Sequence, residues 1–209
     1  MTRFADPVWR IPGAILAWLI FAFSFTYLYL AAGALGSIGG FCASGGPYVI
    51  AVECTNAILL MPLAIFGLFI AAGVALAFQR GFAAPVVVWG WPVLFVGLGI
   101  QFFWEIQYGA VFVGILCGTL FVIMGLAPLI FELRAGPRRL LLGRTNARDV
   151  RFTEREGARR TFYAFGRDDP AQTVEPTAAD WALSLAITLG SIALGVWLGL
   201  LAFAAAAAA

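Results

Sequence analysis

Five long stretches of apolar residues separate the few charges of this chain, and they constrain its fold more than any other feature. They cover residues 11–35, 57–78, 86–103, 109–131 and 181–203. A helix needs about 20 apolar residues to cross the hydrocarbon core of a bilayer. Each stretch is apolar on all its faces, and none alternates as a membrane β-barrel strand does. The sequence therefore predicts an all-α integral membrane protein with about five transmembrane helices.

The composition agrees with this prediction. Hydrophobic residues make up 62% of the 209 positions and charged residues only 11%, whereas soluble domains carry about 25% charged residues. The first apolar stretch is too long for the core of a secretory signal peptide, so we expect it to be retained as a span.

The arginine residues predict the orientation of the spans. All 13 basic residues are arginine, and ten of them lie between Arg134 and Arg167. Short loops rich in arginine stay on the cytoplasmic side of a membrane. If the N-terminus is cytoplasmic, then Arg3, Arg10, Arg80 and the group of ten all lie inside, and the C-terminus lies outside. We therefore expect a multi-pass protein of the plasma (inner) membrane with this topology.

The predicted spans divide the chain into three parts. Residues 1–131 hold four spans, residues 132–180 form an arginine-rich cytoplasmic insert, and residues 181–209 hold the fifth span and an alanine tail. The insert has too few apolar side chains for a core of its own, and a small β-hairpin turning at residues 156–157 is its candidate structure. We expect Arg138 and Arg139 to contact anionic lipid headgroups. The alternative is that they are the charges that fix topology, and the two roles are compatible.

Cys42 and Cys54 lie in the loop that is predicted to be external. On the oxidising face of a membrane, two cysteines in one loop favour a disulfide bond. The alternative is a pair of free thiols at the membrane surface. A zinc site is disfavoured because the spacing fits no zinc pattern and the chain has no histidine. Cys117 lies within the fourth predicted span, where we expect it to pack as a small apolar side chain.

The chain contains neither histidine nor lysine, and these absences exclude several classes of chemistry. Without histidine it has no histidine ligand for haem, copper or iron, and no histidine general base. Without lysine it has no Schiff base and no phosphate-binding P-loop. We therefore predict that the chain is not an enzyme and has no catalytic residue, cofactor or metal site.

Glu105 and Gln101 are the candidates for a proton or ion site. An ionisable residue at membrane depth is costly and therefore suggests a function. If the third helix continues past residue 103, the two side chains share one face at positions i and i+4. The favoured interpretation is instead an interfacial loop in which Glu105 lies near Trp104 and Tyr108, because the third predicted span is short.

Two pairs of glycines, each spaced four residues apart, are candidates for close helix packing. They are Gly114 with Gly118, and Gly195 with Gly199. Such pairs let two helix backbones approach closely. The sequence leaves open whether the neighbouring helices belong to this chain or to another subunit.

Three stretches within the first 130 residues carry a resemblance to a known family: GGFCASGGPYVIAVEC, MPLAIFGLF and WPVLFVGLGIQFFWE. The chain resembles an uncharacterised family of small multi-pass membrane proteins from high-GC actinobacteria. The exclusive use of arginine as the basic residue also fits a GC-rich genome. The resemblance implies a type of host and carries over no functional residue; the insert and the last span lie outside it.

These observations favour a non-catalytic accessory subunit of a larger membrane assembly, such as a respiratory complex or supercomplex. We expect membrane lipids with anionic headgroups and other membrane subunits as partners, and no nucleic acid. The alternative is a small oligomeric transporter or channel that uses Glu105 and Gln101. A membrane enzyme that acts on lipid is the weakest alternative, because the sequence shows no base or nucleophile for it.

Overall fold

The computed structural model describes residues 10–38, 42, 53–79, 84–109, 111–134 and 178–208, and most of these residues are helical. Helix α1 covers Arg10–Ser37, α2 is the single turn Asn56–Leu59, and α3 covers Met61–Val74 and continues as a π-helical turn over Ala75–Gln79. Helix α4 covers Val86–Glu105 and is followed by the 3-10 turn Ile106–Tyr108. Helix α5 covers Val111–Arg134, and α6 covers Ala178–Ala208.

Five helical segments in this part of the chain are long and apolar enough to cross a bilayer. They contain between 20 and 28 residues each. At 1.5 Å per residue they are about 30–42 Å long, and the hydrocarbon core is about 30 Å thick. The prediction of an all-α protein with five candidate spans is therefore confirmed. The segments are Ile11–Ser37, Asn56–Gln79, Val86–Tyr108, Val111–Ile130 and Trp181–Ala208.

Helix α1 is the centre of the bundle. Half of the residues in its most apolar 18-residue stretch (50%) are buried, against 17–28% in the other four candidate spans. It packs against α3, α4 and α6. Its buried face combines alanines, which let neighbouring helices approach, with Trp18, Phe21 and Tyr27, which fill the space between them.

The neighbours of α1 alternate in direction, as successive spans of one chain must. Helix α3 is antiparallel to α1, α4 and α6 are parallel to it, and α5 is antiparallel to α4. The contacts that fix these directions are Tyr27–Ala57 and Gly13–Phe78 for α3, Phe21–Gly90 and Gly33–Gln101 for α4, and Leu19–Gly195 and Tyr27–Phe203 for α6. One end of the bundle therefore carries Cys42, Cys54 and Tyr108, and we call it the disulfide end. The other carries Gln79 and Ala84, and we call it the Gln79 end.

Helix α5 packs against α4 and the 3-10 turn that follows α4. The contact includes a hydrogen bond in which the Trp91 indole N–H donates to the carbonyl oxygen of Met124 at 3.0 Å. Pro128 lies four residues after Met124 and has no amide hydrogen to donate to that carbonyl. The indole replaces the missing donor, so the carbonyl group that Pro128 leaves unpaired in α5 has a hydrogen-bond partner from α4.

The helices extend beyond the predicted apolar stretches, and two of these extensions bear on the predictions. Helix α4 continues to Glu105, so Glu105 is the last residue of a helix and does not lie in an interfacial loop. Helix α6 continues through the alanine tail to Ala208, as the high helix propensity of alanine allows. The expected hairpin turn at residues 156–157 lies outside the described residues.

Candidate functional site

Gln79 closes the turn between α3 and α4 at the Gln79 end. It is the last residue of the π-helical turn, and its side chain is 2% exposed. Its amide nitrogen donates to the carbonyl oxygen of Ala84 at 2.7 Å, and its amide oxygen accepts from the backbone N–H of Val86 at 3.2 Å. A side-chain amide therefore satisfies backbone groups at the start of α4 that the helix itself leaves unpaired.

Ala84 links this turn to two further helices. The Trp18 indole N–H of α1 donates to the Ala84 carbonyl oxygen at 2.6 Å. The Ala84 N–H donates to the Thr188 hydroxyl oxygen of α6 at 3.3 Å. We call Trp18, Gln79, Ala84 and Thr188 the Gln79 cluster. Because its polar groups are paired with one another, the cluster is suited to holding four segments together and leaves little capacity for a ligand.

Helix α6 faces α1 with a strip of small residues. Ser184, Thr188 and Ser191 are buried on this strip, and Gly195 and Gly199 continue it. A methyl group at Gly195 would lie 2.6 Å from the Leu19 carbonyl oxygen, and one at Gly199 would lie 2.9 Å from the Phe23 carbonyl oxygen. The two glycines are therefore in backbone contact with α1 of the same chain.

The pair Gly114 and Gly118 is also used within the chain. A methyl group at Gly114 would lie 2.8 Å from the Phe102 carbonyl oxygen of α4, and one at Gly118 would lie 2.8 Å from the ring of Phe103. The structure thus places all four predicted glycines in contacts between helices of this chain. Cys117, next to Gly118 on α5, is partly exposed and unbonded.

Gln101 and Glu105 come together on α4 at the disulfide end. Both side chains face α1, where two glycines make room for them. A methyl group at Gly33 would lie 2.9 Å from the Gln101 amide nitrogen, and one at Gly36 would lie 2.6 Å from a Glu105 carboxylate oxygen. Gln101 is 7% exposed, and Glu105 is half-buried at the helix end. The structure therefore joins these two predicted site residues on one face of α4, against glycines of α1.

Cys42 and Cys54 form a disulfide bond, with a Cα–Cα distance of 5.0 Å. The predicted disulfide is therefore present, and it ties the start of α2 to the loop after α1. Arg138 and Arg139, the candidates for binding lipid headgroups, lie outside the described residues.

The described residues contain no group of three or more histidine, cysteine, aspartate or glutamate side chains placed to hold a metal ion. Comparison of the chain with protein-family models, curated proteins and solved structures gave no match. The fold defines the class, a helical multi-pass membrane protein with five candidate spans. The features that bear on its function are the Gln79 cluster, the pair Gln101 and Glu105, and the outward faces of the helices.

Sequence reasoning missed the Gln79 cluster. Its signal was weak but present: Gln79 is a polar residue between Phe78 and Arg80, shortly before Pro85 begins the next helix. A polar side chain beside a short turn is a candidate partner for unpaired backbone groups. Trp18 and Thr188 gave no such signal, because their partner Ala84 is distant in sequence.

Proposed function

We propose that this chain is a non-catalytic accessory subunit of a larger membrane assembly, such as a respiratory complex of the plasma membrane, with its N-terminus in the cytoplasm. The position of α5 is the observation that supports this proposal most. Only 17% of its most apolar 18-residue stretch is buried. Its outward side chains are large, and Phe112 is 76% exposed.

Among the described helices, α5 packs against α4. Its remaining faces there depend on lipid or on another protein to cover them. Helix association in a bilayer relies on van der Waals packing and on hydrogen bonds between helices. The predicted glycine pairs are already used inside the chain. A contact with another subunit therefore relies on large outward side chains, of which Phe69 on α3 and Phe112 on α5 are the most exposed aromatic examples.

The lack of histidine and lysine in the whole chain supports a non-catalytic role. The ten arginines between Arg134 and Arg167 support a cytoplasmic location for the insert and for the N-terminus. An arginine-rich segment on that side also provides charge for contacts with lipid headgroups or with acidic surfaces of other subunits.

Site-specific photo-crosslinking in native membranes tests the proposal. A photoreactive phenylalanine analogue replaces Phe112 or Phe69 in the full chain, and Phe95 provides the matched control because its ring lies 5.5 Å from that of Phe121 inside the chain. We expect Phe112 or Phe69, and not Phe95, to crosslink to a different polypeptide that also co-purifies in stoichiometric amount. Crosslinks to lipid alone at both outward positions would contradict an accessory role.

A small oligomeric transporter or channel is the second candidate function, and the shared face of Gln101 and Glu105 favours it. In this case the outward positions crosslink to a second copy of the same chain. Flux through reconstituted protein then decides: Glu105→Gln, which removes the carboxylate at this site, is expected to abolish transport. Unchanged flux would eliminate the candidate.

A further inference from the structure

The carboxylate of Glu105 and the amide of Gln101 lie one helical turn apart on α4 and contact α1 at Gly33 and Gly36. Glycine at these two positions leaves space that any larger residue would fill. The polar heads of both side chains therefore lie in one strip between α1 and α4. This strip begins at the disulfide end and extends one turn into the bundle.

The polar groups in this strip have no hydrogen-bond partner in the part of the chain that the structure describes. Among the residues that the structure describes, neither the Gln101 amide nor the Glu105 carboxylate forms a hydrogen bond or an ion pair. Gln101 is nevertheless more than nine-tenths buried, since only 7% of it is exposed. A buried amide without a partner is costly, and such a group calls for a ligand or another specific explanation.

Glu105 lies beside the carboxyl-terminal ends of α1 and α4, which favour a positive charge there, while α5 begins nearby at Val111 and contributes an amino-terminal end of the opposite sign. Helices α1 and α4 are parallel, so both carboxyl-terminal ends lie at the disulfide end. Each helix end carries the equivalent of about half a negative charge. Glu105 adds a full carboxylate at the end of α4, where an acidic side chain is disfavoured.

Among the residues that the structure describes, none at the disulfide end is basic. Residues 11–79, 81–133 and 168–209 contain no arginine and no lysine. The arginines belong to the N-terminus, the turn after Gln79 and the segment that begins at the end of α5. The charge of Glu105 is therefore open to neutralisation by a proton or by a cation from outside the chain.

We propose that Glu105 and Gln101 form a binding site for a small inorganic cation. The carboxylate provides charge, and the amide can turn its oxygen toward the cation as a neutral ligand. Hard cations take ligands of these two types. Protonation of Glu105 is the competing way to neutralise this charge, and it predicts a response to pH with no response to cations. The site is independent of whether the chain acts as a subunit or as a transporter.

Carbodiimide labelling of the purified full-length protein tests this site. A hydrophobic carbodiimide reacts with a carboxyl group in an apolar setting, and peptide mass spectrometry locates the adduct. Labelling is compared in Na⁺, K⁺, Li⁺, Mg²⁺ or Ca²⁺ against N-methylglucamine at constant pH and ionic strength. At ten times the dissociation constant of the preferred cation, we expect labelling of Glu105 to fall about eleven-fold, because only about one site in eleven is then free.

Matched variants distinguish a site that both Glu105 and Gln101 form from a cation bound by the Glu105 carboxylate alone. Gln101→Leu is expected to raise the cation concentration for half-protection about ten-fold, as the loss of one ligand implies. Gln107→Leu, on the exposed turn after α4, and Glu53→Gln, an exposed carboxylate at the same end, are expected to leave it unchanged. If Gln101→Leu does not fold, Gln101→Asn provides the same comparison with a shorter side chain.

The melting temperature of the purified protein provides an independent measurement. The cation that protects Glu105 is expected to raise it in wild type and not in Glu105→Gln. Labelling that responds to pH and to none of the cations would overturn the proposal. Equal protection in wild type and in the Gln101 variant would also overturn it. The proposal would likewise fail if Glu105 were not labelled and no cation raised the melting temperature.

Discussion

The two ends of the bundle each bury a glutamine beside α1, and the two glutamines differ in their hydrogen bonds. At the Gln79 end, the amide pairs with the backbone of Ala84 and Val86, and Trp18 and Thr188 pair with Ala84 as well. At the disulfide end, the amide of Gln101 lies against Gly33 and has no partner among the described residues. Glutamine therefore stabilises the fold at the Gln79 end and offers a ligand at the disulfide end.

The two glutamines differ because only the amide of Gln79 lies within hydrogen-bonding distance of backbone partners. A paired amide within an apolar bundle stabilises the arrangement that pairs it, since separating the partners leaves buried polar atoms exposed to hydrocarbon. An unpaired amide stabilises nothing in the protein alone. Burial of a polar residue therefore does not by itself identify a structural role or a binding role; the hydrogen-bond partners of the residue decide between the two.

The largest expected effect comes from opening the disulfide. The ends of the loop are 12 residues apart, and a disulfide across a loop of this size contributes about 3 kcal/mol by constraining the unfolded chain. The double variant Cys42→Ser and Cys54→Ser is expected to have a lower melting temperature in detergent than wild type. Reductant should lower the melting temperature of wild type and leave that of the double variant unchanged. Cys117→Ser is the control. An unchanged melting temperature would show that the disulfide end does not depend on this bond.

The second effect tests the paired end. Gln79→Leu removes two hydrogen bonds and leaves the N–H of Val86 without its partner, so we expect a loss of about 2 kcal/mol. Thermal unfolding measured by tryptophan fluorescence checks this value. A variant that melts with wild type would show that the Gln79 cluster does not hold the turn.

A smaller effect is expected for Trp18→Phe. The ring remains, but the N–H donor to Ala84 is lost, and a hydrogen bond in a membrane protein contributes about 0.6 kcal/mol on average. The Ala84 carbonyl keeps the Gln79 amide as a donor, which limits the loss. Trp197→Phe, at an exposed position of α6, is the control. A loss for Trp18→Phe as large as that for Gln79→Leu would mean that the indole, and not the amide, dominates the cluster.

The sequence predicted the five helices because each is apolar on every face, a pattern that in 20 or more residues has few alternatives to a membrane span. It predicted the disulfide because two cysteines share a loop. The predicted end of α4 was wrong, because the apolar run stops at residue 103 but the helix continues to Glu105. Polar Gln101 and Glu105 fit there only because Gly33 and Gly36 of a distant helix make room for them.

The candidate site shows the same limit. The spacing of Gln101 and Glu105 predicted a shared face, since i and i+4 are neighbours on a helix. Which helix covers that face depends on contacts between segments about 70 residues apart, and no local pattern carries this information. The Gln79 cluster left only a weak signal in the sequence for a related reason. Gln79, Trp18 and Thr188 all bond to backbone atoms of Ala84, and backbone atoms carry no residue-specific signal.

The most direct test of the contrast between the two ends is the melting temperature of Gln101→Leu beside that of Gln79→Leu, both measured in N-methylglucamine without inorganic cations. Replacing an unpaired buried amide by an apolar side chain of similar size removes a cost and no bond. We therefore predict that Gln101→Leu melts at or slightly above the wild-type temperature while Gln79→Leu melts below it. Equal losses in the two variants would contradict the account, because they would show that Gln101 also stabilises the fold.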